Sequence, residues 1–264
     1  MLPRERIAEA IRTAARSGEP ALVAFLTAGY PQRAKFSEHL AAVAAAADVV
    51  EIGVPFTDPM ADGMTIQRSS QEALRQGVTL QWIFDELTAM VRVRAPLLLM
   101  SYLNPLLNYG YERLATASIA AGVSGFIVPD LPLDESAALR AALDSHGIAL
   151  VQMVTPVTPP ERLARLCAAS QGFVYAVTMT GTTGHNAATP AGVLEYLARV
   201  RAVAKVPVCA GFGIRSREQV VRLRGAVEGC VVGSALVEVL ERGESPQAWL
   251  GSLRHGTEIG RAHV

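Results

Sequence analysis

Eight short apolar runs recur along the chain, each closed off by turn-forming residues. They are ALVAFLT (21–27), DVVEIGV (48–54), PLLLMSY (96–102), SGFIVP (124–129), IALVQMV (148–154), GFVYAVT (172–178), VPVCAG (206–211) and EGCVVG (228–233). Apolar residues fill both alternating sets of positions, as in parallel strands covered by helices on both faces. Stretches of helical period lie between them. In DESAALRAALDSHG, Asp134 reads as the N-cap and Gly147 as the stop, and in TPPERLARLCAAS, Thr158 reads as the N-cap with Pro159 at the first helical position. TLQWIFDELTAMVRVRA sets Trp82, Ile83, Leu87, Met90 and Val91 at helical spacing, so Trp82 reads as core rather than as a ligand platform. An amphipathic helix with Ile7, Ala10, Ile11 and Ala14 on one face precedes the first strand. Eight strands alternating with helices predict a (β/α)8 TIM barrel, a single domain over 1–264 with an extra N-terminal helix. A doubly wound open sheet is the alternative. No linker or charge block divides the chain.

Composition narrows the setting. Lys+Arg and Asp+Glu balance at 24 each in 264 residues, so no global field favours nucleic acid or an anionic membrane. Runs such as LAAVAAAA fall short of the roughly 20 apolar residues that span a bilayer. The first residues mix Arg with Glu and lack a signal-peptide apolar core. Cys167, Cys209 and Cys230 form no CxxC pair and no zinc spacing, so no metal site is expected and a reduced, cytoplasmic setting is.

Two connections, 55–78 and 179–190, are unusually long, and both follow strand C-terminal ends, where barrel active sites are built. The strand before the first of them carries Glu51 in the apolar run VVEIGV. A carboxylate buried there without a partner costs several kcal/mol or takes up a proton. Glu51 therefore reads either as an acid–base group tuned upward or as half of a structural salt bridge to a neighbouring loop. Asp62, in ADG, is by itself a turn residue. Because its loop begins three residues after Glu51, the two acids can face a ligand from two sides. Asp58, in TDP, has the look of a plain Asx turn.

The last strands end in glycine. AGFGI (210–214) places Gly211 and Gly213 after strand seven, and VVGSALVEVLE (231–241) opens a helix at Gly233–Ser234. A helix N-terminus binds anions, and a phosphate site from loops seven and eight recurs in this fold. Loop six adds TGTTGHN, with Gly181 and Gly184 among hydroxyl residues, and His185 there reads as solvated or as a base. Each glycine motif alone is also ordinary turn chemistry.

VEIGVPFTDPMADGMTIQ (50–67) resembles the signature of the tryptophan synthase alpha chain family. FLTAGYP (25–31), LMSYLNP (99–105), GFIVPDLPLDES (125–136), GTTG (181–184), GFGI (211–214) and GSALVE (233–238) follow in the family's order, so the resemblance covers nearly the whole chain. It implies a barrel that cleaves indole-3-glycerol phosphate to indole and glyceraldehyde 3-phosphate by a retro-aldol. The family's catalytic glutamate falls on Glu51 and its catalytic aspartate on Asp62. Its phosphate contacts fall on Gly184, Gly213, Gly233 and Ser234, and its indole pocket on Phe25 and Tyr175 with Tyr102 nearby. Tyr102 and Tyr175 also fit plain strand-end packing. The loop-six threonine, which closes the lid, falls on Thr183. Asp58, Pro59 and Asp130 match positions that communicate with a beta subunit. The resemblance implies that partner in an alpha2beta2 tetramer, with pyridoxal phosphate in the beta subunit and no cofactor in this chain.

The chain departs from the family where Met64 follows ADG in place of the usual proline, and where loop six reads TMTGTTG, with Thr178 and Thr182 substituted. Proline restricts a loop, so Met64 is expected to leave loop two freer or differently packed. Two variants of the reading follow: a stand-alone indole-releasing lyase of a specialised pathway, and a non-catalytic activator of a beta subunit. Retention of both Glu51 and Asp62 argues against the activator. Another phosphosugar barrel enzyme, such as an isomerase, would leave EIGVPFTDPMADG unexplained.

Overall fold

Each apolar run becomes a strand because its two sets of alternating residues meet two different cores. In the computed structural model, which describes residues 1–178, 190–211 and 213–255, the strands close into a parallel barrel in sequence order. They are β1 (Ala21–Thr27), β2 (Val49–Gly53), β3 (Leu97–Met100), β4 (Val123–Ile127), β5 (Ala149–Val154), β6 (Val174–Val177), β7 (Val208–Gly211) and β8 (Gly229–Val232). On β1, Ala21 and Val23 join Val49, Leu98, Ile127 and Phe173 inside the barrel. Leu22, Ala24 and Leu26 face outward into the larger core under the helices. The (β/α)8 barrel is therefore the observed fold, and the open sheet is excluded by the pairing of β1 with β8.

The helices are α1 (Pro3–Ala15), α2 (Phe36–Ala46), α3 (Met64–Arg75), α4 (Leu80–Ala89), α5 (Leu103–Tyr109), α6 (Tyr111–Ala121), α7 (Ala137–Asp144), α8 (Pro160–Ala169), α9 (Pro190–Val203), α10 (Arg217–Arg222), α11 (Ser234–Glu241) and α12 (Pro246–His255). On α1, Ile7 and Ile11 belong to the inner core and Ala10 and Ala14 pack against it, so this helix plugs the N-terminal end of the barrel. A ligand then has only the C-terminal mouth to enter.

Three helix boundaries differ from the sequence reading. Asp134 is not an N-cap: it lies in a short 3-10 turn, Leu133–Glu135, and pairs with Arg162 and Arg165 of α8, while Ser136 precedes α7. Thr158 sits one residue too early; its hydroxyl accepts the Thr155 N–H at 2.9 Å and closes the preceding turn, leaving Pro159 as N-cap of α8. Helix α4 ends at Ala89, so Met90 takes the C-cap and Val91 lies in solvent. Trp82 packs against the outer core beside Phe36, as its spacing implied.

Loop two was expected as an unusually long connection, and half of it is helix α3. Two hydroxyls fix this helix. Ser69 Oγ lies 2.7 Å from Thr27 Oγ1 at the end of β1, and Ser70 Oγ accepts the Phe56 N–H at 2.8 Å while donating to the Phe56 carbonyl at 3.0 Å. Met64 is the first residue of α3, with Gly63 as its N-cap, so the residue that replaces proline stands at the first position of a helix.

Gly53 makes room for a ring. A Cβ there would lie 2.5 Å from the Phe25 ring of the neighbouring strand. Gly53→Ala is expected to lower stability by about 1–3 kcal/mol, the usual cost of overpacking, measured by urea denaturation. Phe25→Leu in the same chain should recover part of the loss.

Candidate active site

Glu51 is the central residue of β2, between Phe25 on β1 and Leu98 on β3. Parity points its side chain into the barrel, where it is 1% exposed. Among the described residues no cation pairs with it, and its Oε2 has no hydrogen-bond partner. The described residues therefore offer no partner for the salt-bridge reading of Glu51. Burial first, and then the nearby charge of Asp62, push its pKa from an ordinary 4.5 up to about 8. A buried oxygen without a partner in a native barrel calls for an explanation, and a reactant is one.

Asp62 arrives from loop two. Its Oδ2 accepts the Tyr102 hydroxyl at 3.1 Å, and that hydroxyl in turn accepts the Ala61 N–H at 2.8 Å. Tyr102 stacks on Phe56 with centroids 5.1 Å apart, so its own position is fixed. Burial raises the Asp62 pKa to about 6, and the Tyr102 hydrogen bond opposes that rise. At neutral pH Glu51 is therefore mostly protonated and Asp62 mostly ionised.

A cavity of about 240 Å³ opens at the mouth. Glu51, Asp62, Phe25, Tyr175, Gly213, Gly233 and Ser234 all line it, so seven residues singled out in the sequence converge there. Ile66, Met100 and Val231 supply apolar wall, which suits a flat aromatic ligand. Tyr102 is placed differently: it lines a smaller adjacent cavity and reaches the site through Asp62. Tyr175 is buried on β6, and a Cβ at Gly211 would fall 2.5 Å from its hydroxyl, so that glycine shapes the pocket.

At the far end of the cavity, Gly213 has φ +79°, a left-handed conformation open to glycine, and its carbonyl accepts Gln219 Nε2 at 3.1 Å. Gly233 is the N-cap of α11 and Ser234 its first residue. The first-turn N–H groups of a helix have no partner within it, and the dipole adds partial positive charge, so this end favours an anion. Thr183, Gly184 and His185 lie outside the described residues. Asp58 and Pro59 lie on loop two; the Asp58 carboxylate accepts the Thr57 hydroxyl at 2.5 Å. Asp130 Oδ1 accepts the Leu103 N–H at 2.9 Å and so holds the start of α5. Among the described residues no group of three His, Cys, Asp or Glu side chains could hold a metal, and the three cysteines are free and buried.

Thr65 also lines the cavity and was not anticipated. Its signal was present, since TIQ follows ADG with only Met64 between them, but a lone threonine at a helix start reads as a cap.

The family model of the tryptophan synthase alpha chain matches residues 11–255. The chain is 46% identical over 240 residues to the tryptophan synthase alpha chain of Nitratidesulfovibrio vulgaris (strain DP4), covering 90% of this chain and 93% of that one. It is 45% identical over 246 residues to that of Solidesulfovibrio magneticus, covering 92% and 96%. Among solved structures, Mycobacterium tuberculosis tryptophan synthase superposes with TM-score 0.87 at 36% identity, covering 97% of this chain and 99% of that one. The tryptophan synthase subunit alpha of Legionella pneumophila superposes with TM-score 0.86 at 27% identity, covering 95% and 97%.

The Glu51 pKa has a consequence for stability. Its folded value lies above its ordinary value, so the folded chain holds a proton that the unfolded chain has released between pH 4.5 and about 8. Glu51's contribution should be fully present below pH 4.5 and should fall as pH rises toward 8, by up to about 1.4 kcal/mol per pH unit. Glu51→Gln should lack this dependence, so its stability relative to the parent should rise across that window. Denaturation curves of both chains at several pH values check this.

Proposed function

The chain belongs to the tryptophan synthase alpha chain family and is a lyase with that family's activity, cleavage of indole-3-glycerol phosphate to indole and glyceraldehyde 3-phosphate; we propose that Glu51 and Asp62 divide the acid–base work of that reaction. The observation that carries the proposal is the buried carboxyl of Glu51, whose Oε2 has no partner among the described residues, beside a half-buried Asp62 of lower pKa. Protonated Glu51 gives its proton to C3 of the indole. The ring becomes a cationic indolenine, whose N–H donates to ionised Asp62. Glu51, now a carboxylate, takes the proton from the side-chain hydroxyl next to the scissile bond. The carbon–carbon bond breaks, its electrons return to the indole ring, and the hydroxyl carbon becomes the aldehyde. Glu51 ends protonated, as it began. Two acids with separated pKa values fill the two roles.

The indole ring lies between Phe25 and Tyr175, and the phosphate lies at Gly213, Gly233 and Ser234. Tyr102 orients Asp62 through the hydrogen bond already described.

The partner that this family implies is a beta subunit. In our reading it docks on the mouth face through Asp58, Pro59 and Asp130, forms an alpha2beta2 tetramer in the cytoplasm, and houses the pyridoxal phosphate that this chain does not need. Met60, Leu107 and Val157 support that docking, for each follows a strand C-terminus and exposes apolar surface to solvent. No helix among the described residues is long and apolar enough to cross a membrane. A non-catalytic activator would leave the orphan oxygen of Glu51 without a purpose.

Glu51→Gln is expected to abolish indole release from indole-3-glycerol phosphate while leaving the fold and phosphate binding intact. Asp62→Asn should lower the rate roughly a hundredfold to ten-thousandfold. Ser234→Ala should raise KM more than it lowers kcat, since a phosphate handle contributes mainly uniform binding. Indole release by the purified chain, alone and with a beta subunit, measures all three. Turnover retained by Glu51→Gln would refute the shuttle.

A further inference from the structure

Helices α3 and α11 are joined by two matched clasps. At the first, Thr65 Oγ1 donates to Glu238 Oε1 at 3.1 Å. The same carboxylate receives both ends of the Arg215 guanidinium, at 2.7 and 2.9 Å. One turn further along both helices, Arg68 pairs with Glu241 at 2.5 Å, with the Tyr30 hydroxyl beside them. Residues 65 and 68 thus meet 238 and 241, so the helices run in parallel with both N-termini at the mouth.

The sequence positions matter. Arg215 lies just past Gly213, Glu238 lies one turn into the helix that Ser234 opens, and Thr65 follows closely on Asp62. One carboxylate therefore ties loop seven and loop eight, which form the anion end of the cavity, to the segment that carries Asp62. Movement of α3 reaches Asp62 by a short route, since Gln67 Nε2 donates to the Asp62 carbonyl at 2.9 Å. Glu238 is held ionised across the working range. Its hydrogen bond with Arg215, aided by Thr65 and opposed by burial, brings its pKa down to about 2.

We propose that Glu238 is a positioning residue that, through Thr65 and Arg215, makes occupancy of the anion end and the placement of Asp62 depend on each other. The proposal rests on the reading of Ser234 as the phosphate end and Asp62 as a reacting group. A phosphate at the start of α11 fixes that helix and loop seven. Glu238 passes the restraint to Thr65, and Asp62 is held where the indole N–H will be. Binding energy from the non-reacting end of the substrate is then used at the reacting end, and the coupling is reciprocal.

The test uses a truncated substrate. Indole-3-glycerol, which lacks the phosphate, is supplied to the full-length chain with and without inorganic phosphate, and indole release is followed. In the parent chain inorganic phosphate should accelerate cleavage roughly tenfold, an effect of positioning alone. Thr65→Val, which keeps shape and removes the hydroxyl, should lose that acceleration while still binding phosphate in a calorimetric titration. Thr65→Ser, which keeps the hydroxyl, should restore it. Glu238→Leu should behave as Thr65→Val, and the double variant should be no worse than either single one. Thermal unfolding of each variant confirms that it folds. No acceleration in the parent, or undiminished acceleration in Thr65→Val and Glu238→Leu, would overturn the proposal. Asp62→Asn separates the underlying reading: normal cleavage of indole-3-glycerol phosphate by that variant would overturn the assignment of Asp62, and the coupling with it.

Discussion

The desolvation of one carboxyl group governs the site. Glu51 sits in the wall of an apolar barrel, where among the described residues no cation neutralises it and one of its oxygens has no partner. An ionised carboxylate cannot stay there cheaply, so the group keeps its proton at a pH where an exposed glutamate has lost it. The surrounding structure maintains that condition. Helix α1 seals the lower end with Ile7 and Ile11. Val49, Leu98 and Ile127 fill the interior. Asp62 stands close enough to raise the Glu51 pKa further, and its own half-exposed place leaves it the stronger acid.

The second carboxylate is a problem of positioning rather than of burial. Asp62 belongs to a loop, and loops move unless they are tied. Here Tyr102 holds its side chain, Gln67 holds its carbonyl, and α3 carries its C-terminal flank. That helix is bonded to β1 through Ser69 and Thr27, to loop two through Ser70 and Phe56, and to α11 through Thr65 and Glu238. The acid that must face the ligand therefore hangs from β1 and α11 of the barrel as well as from its own loop. The anion end shares one of them, so recognition of the substrate's two ends is mechanically linked.

The barrel was legible because buried parallel strands are apolar on both faces, and the observed strands lie within two residues of the eight runs. Glu51 was legible for the same reason, as a charge where that pattern forbids one. Helix α3 was not. Its buried residues are Ser69, Ser70 and Ala73, which anchor it by hydroxyl bonds and small size, and MTIQRSSQEALR shows no apolar stripe. Asp134 was misread because a capping residue and a partner for arginines look alike until the next helix is in place. The hold of Tyr102 on Asp62, and of Glu238 on Thr65 and Arg215, joins residues far apart in the chain, which no local pattern records.

Isotope-edited infrared spectroscopy tests the central claim most directly. With glutamate carboxyls labelled in the parent chain and in Glu51→Gln, the difference spectrum isolates the carboxyl stretch of residue 51. The account predicts a protonated band that persists at pH 7 and gives way to the carboxylate only near pH 8. A carboxylate band at pH 6 would contradict it: Glu51 would be charged in the resting enzyme, and the proton for the indole ring would have to come from elsewhere.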